Sequence, residues 1–196
     1  MTSSKKRLLD PNSLAAAANA LAEAARQQHA SIALIGGFAL QQYGSSRLTG
    51  DVDIISDEAL TAFDPIKTLS FGGYQTTVTI AHIPEMLGGA PPSKVHVPVE
   101  VVMRDDGYKK LYQEALNRAV SIRTLRIRLV RSEYLVAMKM IAGRTRDEED
   151  LEFLILSGTD LKPARKIIFK HLGIYGAESF DRLVDETLWR ASKGRI

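Results

Sequence analysis

The 196-residue chain has no cysteine. That absence excludes a disulfide scaffold, a Cys-ligated zinc site, a thiol nucleophile and a thiolate-held iron–sulfur cluster, and it fits a reducing, cytoplasmic setting. Long apolar runs are missing too. The longest, Ser31 to Leu40, is broken by Gly36 and Gly37 and falls short of the ~18 residues that suggest a membrane span. A soluble protein with no membrane partner is therefore expected. Histidine is sparse and scattered: His29, His82, His96 and His171 show no metal-ligand spacing. His96 stands four residues before Glu100 and on the same face of an alternating strand, where a satisfied strand histidine is the simpler reading. Ser45 and Ser46 have no histidine evidently placed to activate them, which argues against a serine-nucleophile hydrolase. No internal repeat or low-complexity tract is present.

What is there belongs to a globular protein. Some 45% of residues are hydrophobic and 25% charged, with a formal net charge of +3. At about 100 to 200 residues per domain, this is one domain, or one with a small appendage. The charge is unevenly spread: residues 1–103 hold 7 basic and 9 acidic side chains, residues 104–196 hold 19 and 14. The sharpest bias is Arg118 to Arg131, where Arg118, Arg123, Arg126, Arg128 and Arg131 occur with no acid among them. Such a run is either a solvated strand face or a surface for nucleotide phosphates or a nucleic-acid backbone. No aromatic residues interleave with these arginines, so a stacking platform for single strands is not indicated.

Periodicity divides the chain into a mixed first part and a helical second part. Lys5, Lys6 and Arg7 before the alanine-rich 14–25 stretch resemble a signal peptide. Asp10, Pro11, Asn12 and Ser13, with Glu23 and Arg26 following, read better as a capped amphipathic helix over 12–29. Strands are expected at 32–35, 51–55, 74–81 and 95–103, and helices at 38–43, 58–69 and 108–119. Residues 120–130 are β-like with a break at 124–126. Helices are expected again at 133–142, 147–157, 162–171 and 177–191, with Gly143, Gly158 and Gly173 where they should stop. Trp189 is most simply a core or interface anchor. The expected organisation is an α+β unit over 1–130 and a helical C-terminal subdomain over 131–196.

The chemistry is concentrated in Leu34-Ile-Gly-Gly-Phe-Ala-Leu-Gln-Gln-Tyr-Gly-Ser-Ser-Arg-Leu-Thr-Gly-Asp-Val-Asp-Ile-Ile55. Gly36 and Gly37 end a strand and start a helix, where a bare backbone can approach a phosphate. Taken alone, the pair is an ordinary strand-to-helix turn. After thirteen intervening residues comes Asp51-Val52-Asp53-Ile54. On a strand, the two carboxylates share a face while Val52 and Ile54 enter the core. Paired carboxylates repel unless a cation lies between them, and hard oxygen ligands suit Mg²⁺. A third acid, Glu100, interrupts the apolar Val97-Pro-Val-Glu-Val-Val-Met103. Pro98 allows an edge strand with Glu100 facing solvent. If strand 95–103 lies beside strand 51–55, Glu100 instead completes a three-carboxylate cluster able to hold two Mg²⁺ ions.

Together the glycine pair, the short helix, Arg47-Leu-Thr49, Asp51-Val-Asp53 and the distant acid resemble the nucleotidyltransferase superfamily that includes DNA polymerase β. Downstream, Ser132-Glu-Tyr-Leu-Val-Ala-Met-Lys-Met-Ile-Ala-Gly143 and Arg144-Thr-Arg-Asp-Glu-Glu-Asp-Leu151 resemble bacterial nucleotidyltransferases of the abortive-infection toxin type. The resemblance spans about residues 31–155. It implies a mixed sheet flanked by helices and a Mg²⁺-dependent transfer of an NMP from an NTP to an acceptor hydroxyl. Asp51, Asp53 and Glu100 would be the catalytic metal ligands. Gly36, Gly37, Arg47 and Thr49 would bind the nucleotide, Lys139 would contact the triphosphate, and Asp150 would orient it or help the chemistry. Asp147 would mainly cap its helix, a role its position supports independently. The implied acceptors are an RNA or tRNA end, a protein or a small molecule, with a cognate antitoxin as a further partner. Glu100 stands where many relatives have aspartate. An inactive nucleotidyltransferase-fold binding or regulatory module is accordingly the alternative, and a purely structural interaction domain would leave the three acids unexplained.

Overall fold

The computed structural model describes residues 11–63, 65–84 and 94–194. Lys5, Lys6, Arg7 and Asp10 lie outside the described residues. The chain forms two compact units, divided at Val130 and Arg131, with the short segment Tyr43–Ser45 joining the second.

The first unit opens with α1 (Pro11–Gln28). Its buried residues, Leu14, Ala17, Ala18, Leu21, Ala24 and Ala25, recur at the three- and four-residue spacing that makes one helical stripe. Four of the six are alanine, so the helix backbone can sit close against strands. Each fully buried leucine in that stripe contributes roughly 1.5–3 kcal/mol of transfer free energy. Then follow β1 (Ile32–Ile35), α2 (Gly36–Gln42) and β2 (Val52–Ser56). Next come β3 (Lys67–Phe71), β4 (Tyr74–Pro84), β5 (Lys94–Arg104), α3 (Lys109–Asn117), β6 (Val120–Ser121) and β7 (Arg128–Leu129). The strands make one mixed sheet in the order β3-β4-β5-β2-β1-β7-β6.

Residues 58–69, expected as a helix, are not one. Residues 57–63 form bends and turns, and Lys67–Phe71 is an edge strand. The cause lies just outside that window. Phe71 pairs with Tyr74 across Gly72 and Gly73, whose φ values of 54° and 85° make the two-residue turn that matches strand twist. Once that hairpin closes, β3 is zipped onto β4 from Phe71 back to Lys67, and Pro65 bars a helix from continuing into it.

β5 is an interior strand, antiparallel to β4 and parallel to β2, so the edge-strand reading of Pro98 does not hold. Pro98 is tolerated because the β2 ladder begins only at Val99, leaving β4 as the neighbour on one side. On the face opposite Glu100, Val97, Val99 and Val101 are buried together with Val52 and Ile54 of β2.

The second unit is helical: α4 (Ser132–Ala142), α5 (Thr145–Leu156) and α6 (Leu161–Ser192), in mutual contact. Gly143 ends α4 in the left-handed conformation at φ 57°, as a C-terminal glycine should. α6 holds both helices expected between 162 and 191, joined through Gly173, whose φ of 74° and ψ of −170° break the helical path. Trp189 is 53% exposed, which excludes the core role. No helix among the described residues is long and apolar enough to cross a membrane.

Candidate functional site

Strand register brings the carboxylates together. β2 and β5 run parallel with Asp53 directly beside Glu100, so the two side chains leave the same face of adjacent strands. Asp51 precedes β2 by one residue and lies two before Asp53. It is buried, and its Oδ1 accepts a 2.7 Å hydrogen bond from the Thr49 hydroxyl. A buried bond to a charged acceptor contributes about 1.5–3 kcal/mol and fixes how the carboxylate sits.

The glycine pair lies against these acids. Gly36 begins α2 at φ 68°, and a Cβ there would overlap the Asp53 carboxylate, reaching 2.7 Å from its Cγ and 2.8 Å from its Cβ. Only glycine supplies both the left-handed conformation and the missing atom. A Cβ on Gly37 would come within 2.9 Å of Thr49 Oγ1 and 3.4 Å of Arg47 Nη1. The loop between α2 and β2 is folded back by Gln41, whose Nε2 donates to the Arg47 carbonyl at 2.7 Å. Gly36, Gly37, Arg47, Thr49, Asp51, Asp53 and Glu100 therefore form one neighbourhood in the first unit.

Glu100 has partners that sequence reasoning missed. Its Oε1 accepts a 2.7 Å hydrogen bond from Thr76 Oγ1, and the Tyr74 hydroxyl stands 3.5 Å from the same oxygen. Burial raises the Tyr74 pKa, with the charge of Glu100 adding to the effect. Arg104, directly across the ladder from Tyr74, packs over the Tyr74, Tyr108 and Tyr112 rings at 4.7, 5.1 and 5.1 Å. It also pairs with Asp106 through Nε at 3.0 Å and through Nη2. Alternation along 74–81 could have placed Tyr74 and Thr76 on one face. Their meeting with Glu100 depends on the β4–β5 register, which no local pattern encodes.

The donor chemistry suits Mg²⁺: three carboxylates, two in register on neighbouring strands and the third on the same chain segment. Among the described residues, however, no three acidic or histidine side chains are drawn closely enough together to hold a metal ion. The three acids are thus a register pair with a nearby third, not a preformed cage. A separate cavity of about 270 Å³ opens where β2 and β5 end, lined by Ser56, Gln75, Met103, Lys109 and Tyr112 among others. None of the three acids lines it.

Lys139, Asp147 and Asp150 lie in the second unit. Lys139 is buried on α4, and its Nζ donates to Asp147 Oδ1 at 2.8 Å and to Asp150 Oδ2 at 2.6 Å, both on α5. An ammonium with the apolar sequence neighbours Met138, Met140 and Ile141 needs a partner, and α5 provides two. Asp147 also accepts from the Arg144 backbone N–H at 3.1 Å and from Arg144 Nε at 2.9 Å, which is the expected capping role. Burial alone would raise the Asp147 pKa, but the hydrogen bonds from Arg144 and Lys139 outweigh it and hold the carboxyl at about 2.

The fold has a solved counterpart. A crystal structure of an antigenic nucleotidyltransferase-like protein from Paracoccidioides brasiliensis aligns over 96% of this chain and 91% of its own, with a TM-score of 0.52 and 17% sequence identity. The fold is nucleotidyltransferase-like. No protein-family model matches the sequence, and no curated protein matches it. In this fold, α+β in class and with helices at its C-terminal end, the strand pair β2–β5 and the first turn of α2 place the candidate residues of the first unit.

Proposed function

We propose that this protein transfers a nucleoside monophosphate from a nucleoside triphosphate to an acceptor hydroxyl, with Asp51, Asp53 and Glu100 holding Mg²⁺. The observation that carries the proposal is the in-register pair Asp53 and Glu100, with the Gly36 α-carbon laid against Asp53. Bound there, Mg²⁺ would supply charge neutralisation for the triphosphate and a lowered pKa for the acceptor hydroxyl. The chain itself would do the positioning. Gly36 and Gly37 leave bare backbone for the phosphates, and Thr49 fixes Asp51. Arg47, beside Gly37, offers its guanidinium to the departing charge. The acceptor oxygen would bond to the α-phosphorus as that phosphorus loses its bond to the oxygen bridging to the β-phosphate. Pyrophosphate takes the electron pair, and the hydroxyl proton passes to solvent. A triphosphate contact by Lys139, with Asp150 orienting it or helping the chemistry, rests on the resemblance alone; in the second unit Lys139 is buried and engaged by Asp147 and Asp150.

Among acceptors we favour RNA, because Arg118, Arg123 and Arg126 are exposed around the β6–β7 hairpin at the sheet edge, with Arg128 half-exposed on β7. A bacterial, toxin-type role with a cognate antitoxin belongs to the same proposal. The second reading, a nucleotide-binding module without turnover, is favoured by glutamate at the third acid and by the open arrangement of the three carboxylates. Incubation with each α-labelled NTP, Mg²⁺ and total tRNA separates the two, with an Asp51→Ala/Asp53→Ala control. Label reaching RNA or protein only with the acids intact supports the transferase. Mg²⁺-dependent NTP binding with no labelled RNA, protein or small-molecule product supports the binding module, and no NTP binding at all sinks both.

A further inference from the structure

Glu100 is longer than the aspartate that its position resembles, and a longer carboxylate has one more rotatable bond to hold still. The structure supplies a restraint. Thr76 is 5% exposed, on β4, and its hydroxyl donates to Glu100 Oε1 at 2.7 Å. Val78 faces Glu100 directly across the ladder, and Thr76, two residues earlier, lies on the same face diagonal to it. Threonine is β-branched with a restricted χ1, so a buried threonine offers its proton in a fixed direction. The ladder below it is anchored as well: Tyr74, next on that face, is stacked under Arg104, which Asp106 holds. A carboxylate has room for several donors, so a hydrogen bond on Oε1 leaves Oε2 for a cation.

Resting on the nucleotidyl-transfer reading above, we propose that Thr76 is a positioning residue, restraining Glu100 through Oε1 so that Oε2 serves a divalent cation shared with Asp53. Partners that orient a metal-ligating carboxylate typically change metal affinity about 10- to 100-fold when removed. The test uses the full chain and Mn²⁺ alone, with free Mn²⁺ read by electron paramagnetic resonance and no nucleotide present. Thr76→Val, which keeps the volume and removes the donor, is expected to weaken Mn²⁺ binding about 10-fold. Thr76→Ser, which restores the donor, is expected to recover most of that loss. In a Glu100→Gln background, Thr76→Val should add no further loss, because its effect runs through the carboxylate. Thr76→Ala carries the same comparison if the valine variant does not fold.

Wild-type affinity or tighter binding in Thr76→Val overturns the inference, as does an equal loss in the Glu100→Gln background. If wild-type binding depends on Asp51 and Asp53 but not on Thr76, the inference alone fails. If the wild-type protein takes up no Mn²⁺, or binds it equally without Asp51 and Asp53, the functional reading fails and the inference with it.

Discussion

Gly36 shows how a single missing atom can shape a site. Its φ of 68° and the overlap that any Cβ would make with Asp53 are separate demands that only glycine meets. Gly36→Ala should lose about 1–2 kcal/mol from the left-handed conformation alone, and it must also displace Asp53. Urea unfolding is expected to show at least that loss, and NTP binding should fall further than stability does. A variant as stable and as tightly binding as the wild type would show that the α2 turn can move away from the acid. Gly37 faces the weaker demand of 2.9 Å to Thr49 Oγ1, so Gly37→Ala should be the milder of the two.

Among the elements, the start of α5 has the clearest pH signature. The Asp147 carboxyl, at about 2 in the folded chain, compares with about 4 when unfolded. The folded value is depressed, so the stabilisation is fully present above about pH 4 and is lost as pH falls through about 2. It amounts to up to ~2 kcal/mol. Urea midpoints measured from pH 6 down to 2 should show this decline, and Asp147→Asn should be less stable at neutral pH with a flatter acid limb. Identical acid limbs would remove Asp147 as the cause. The elements also show where sequence was readable. α1 was legible from its helix-start residues and the charges that follow the alanine-rich stretch, β2 from alternation around Asp53, and β5 from the apolar run around Glu100. β3 was not, because residues 58–69 allow helical spacing and the decision falls to Gly72 and Gly73 pairing Phe71 with Tyr74. Gly36, Gly37, Asp51 and Asp53 could be read from one contiguous segment. Thr76 could not, since its role exists only in the ladder between two separate strands, and Asp147 and Asp150 as partners of Lys139 required the packing of α5 on α4.

At the scale of the whole molecule, charge and fold serve different ends. The net charge of +3 is small, so binding to a polyanion would have to come from local clustering. If the arginines around the β6–β7 hairpin hold RNA, log affinity should fall linearly with log salt. Replacing Arg118, Arg123, Arg126 and Arg128 with glutamine should make that slope shallower by about 0.7 for each phosphate of a single-stranded RNA that is no longer neutralised. Filter binding across a salt series measures it, and an unchanged slope would move the acceptor elsewhere. The hairpin lies on the sheet border opposite β3, so these substitutions leave the β4–β5 ladder intact. The buried trio in the second unit has a consequence that reaches beyond one molecule. Lys139 alone cannot become apolar without leaving Asp147 and Asp150 as buried acids deprived of their shared ammonium, and neither acid can change without altering what the ammonium faces. Descendants of this chain should therefore keep all three residues or exchange them together, so that the trio is inherited as a linked set, while exposed positions such as Arg146 and Glu149 drift independently.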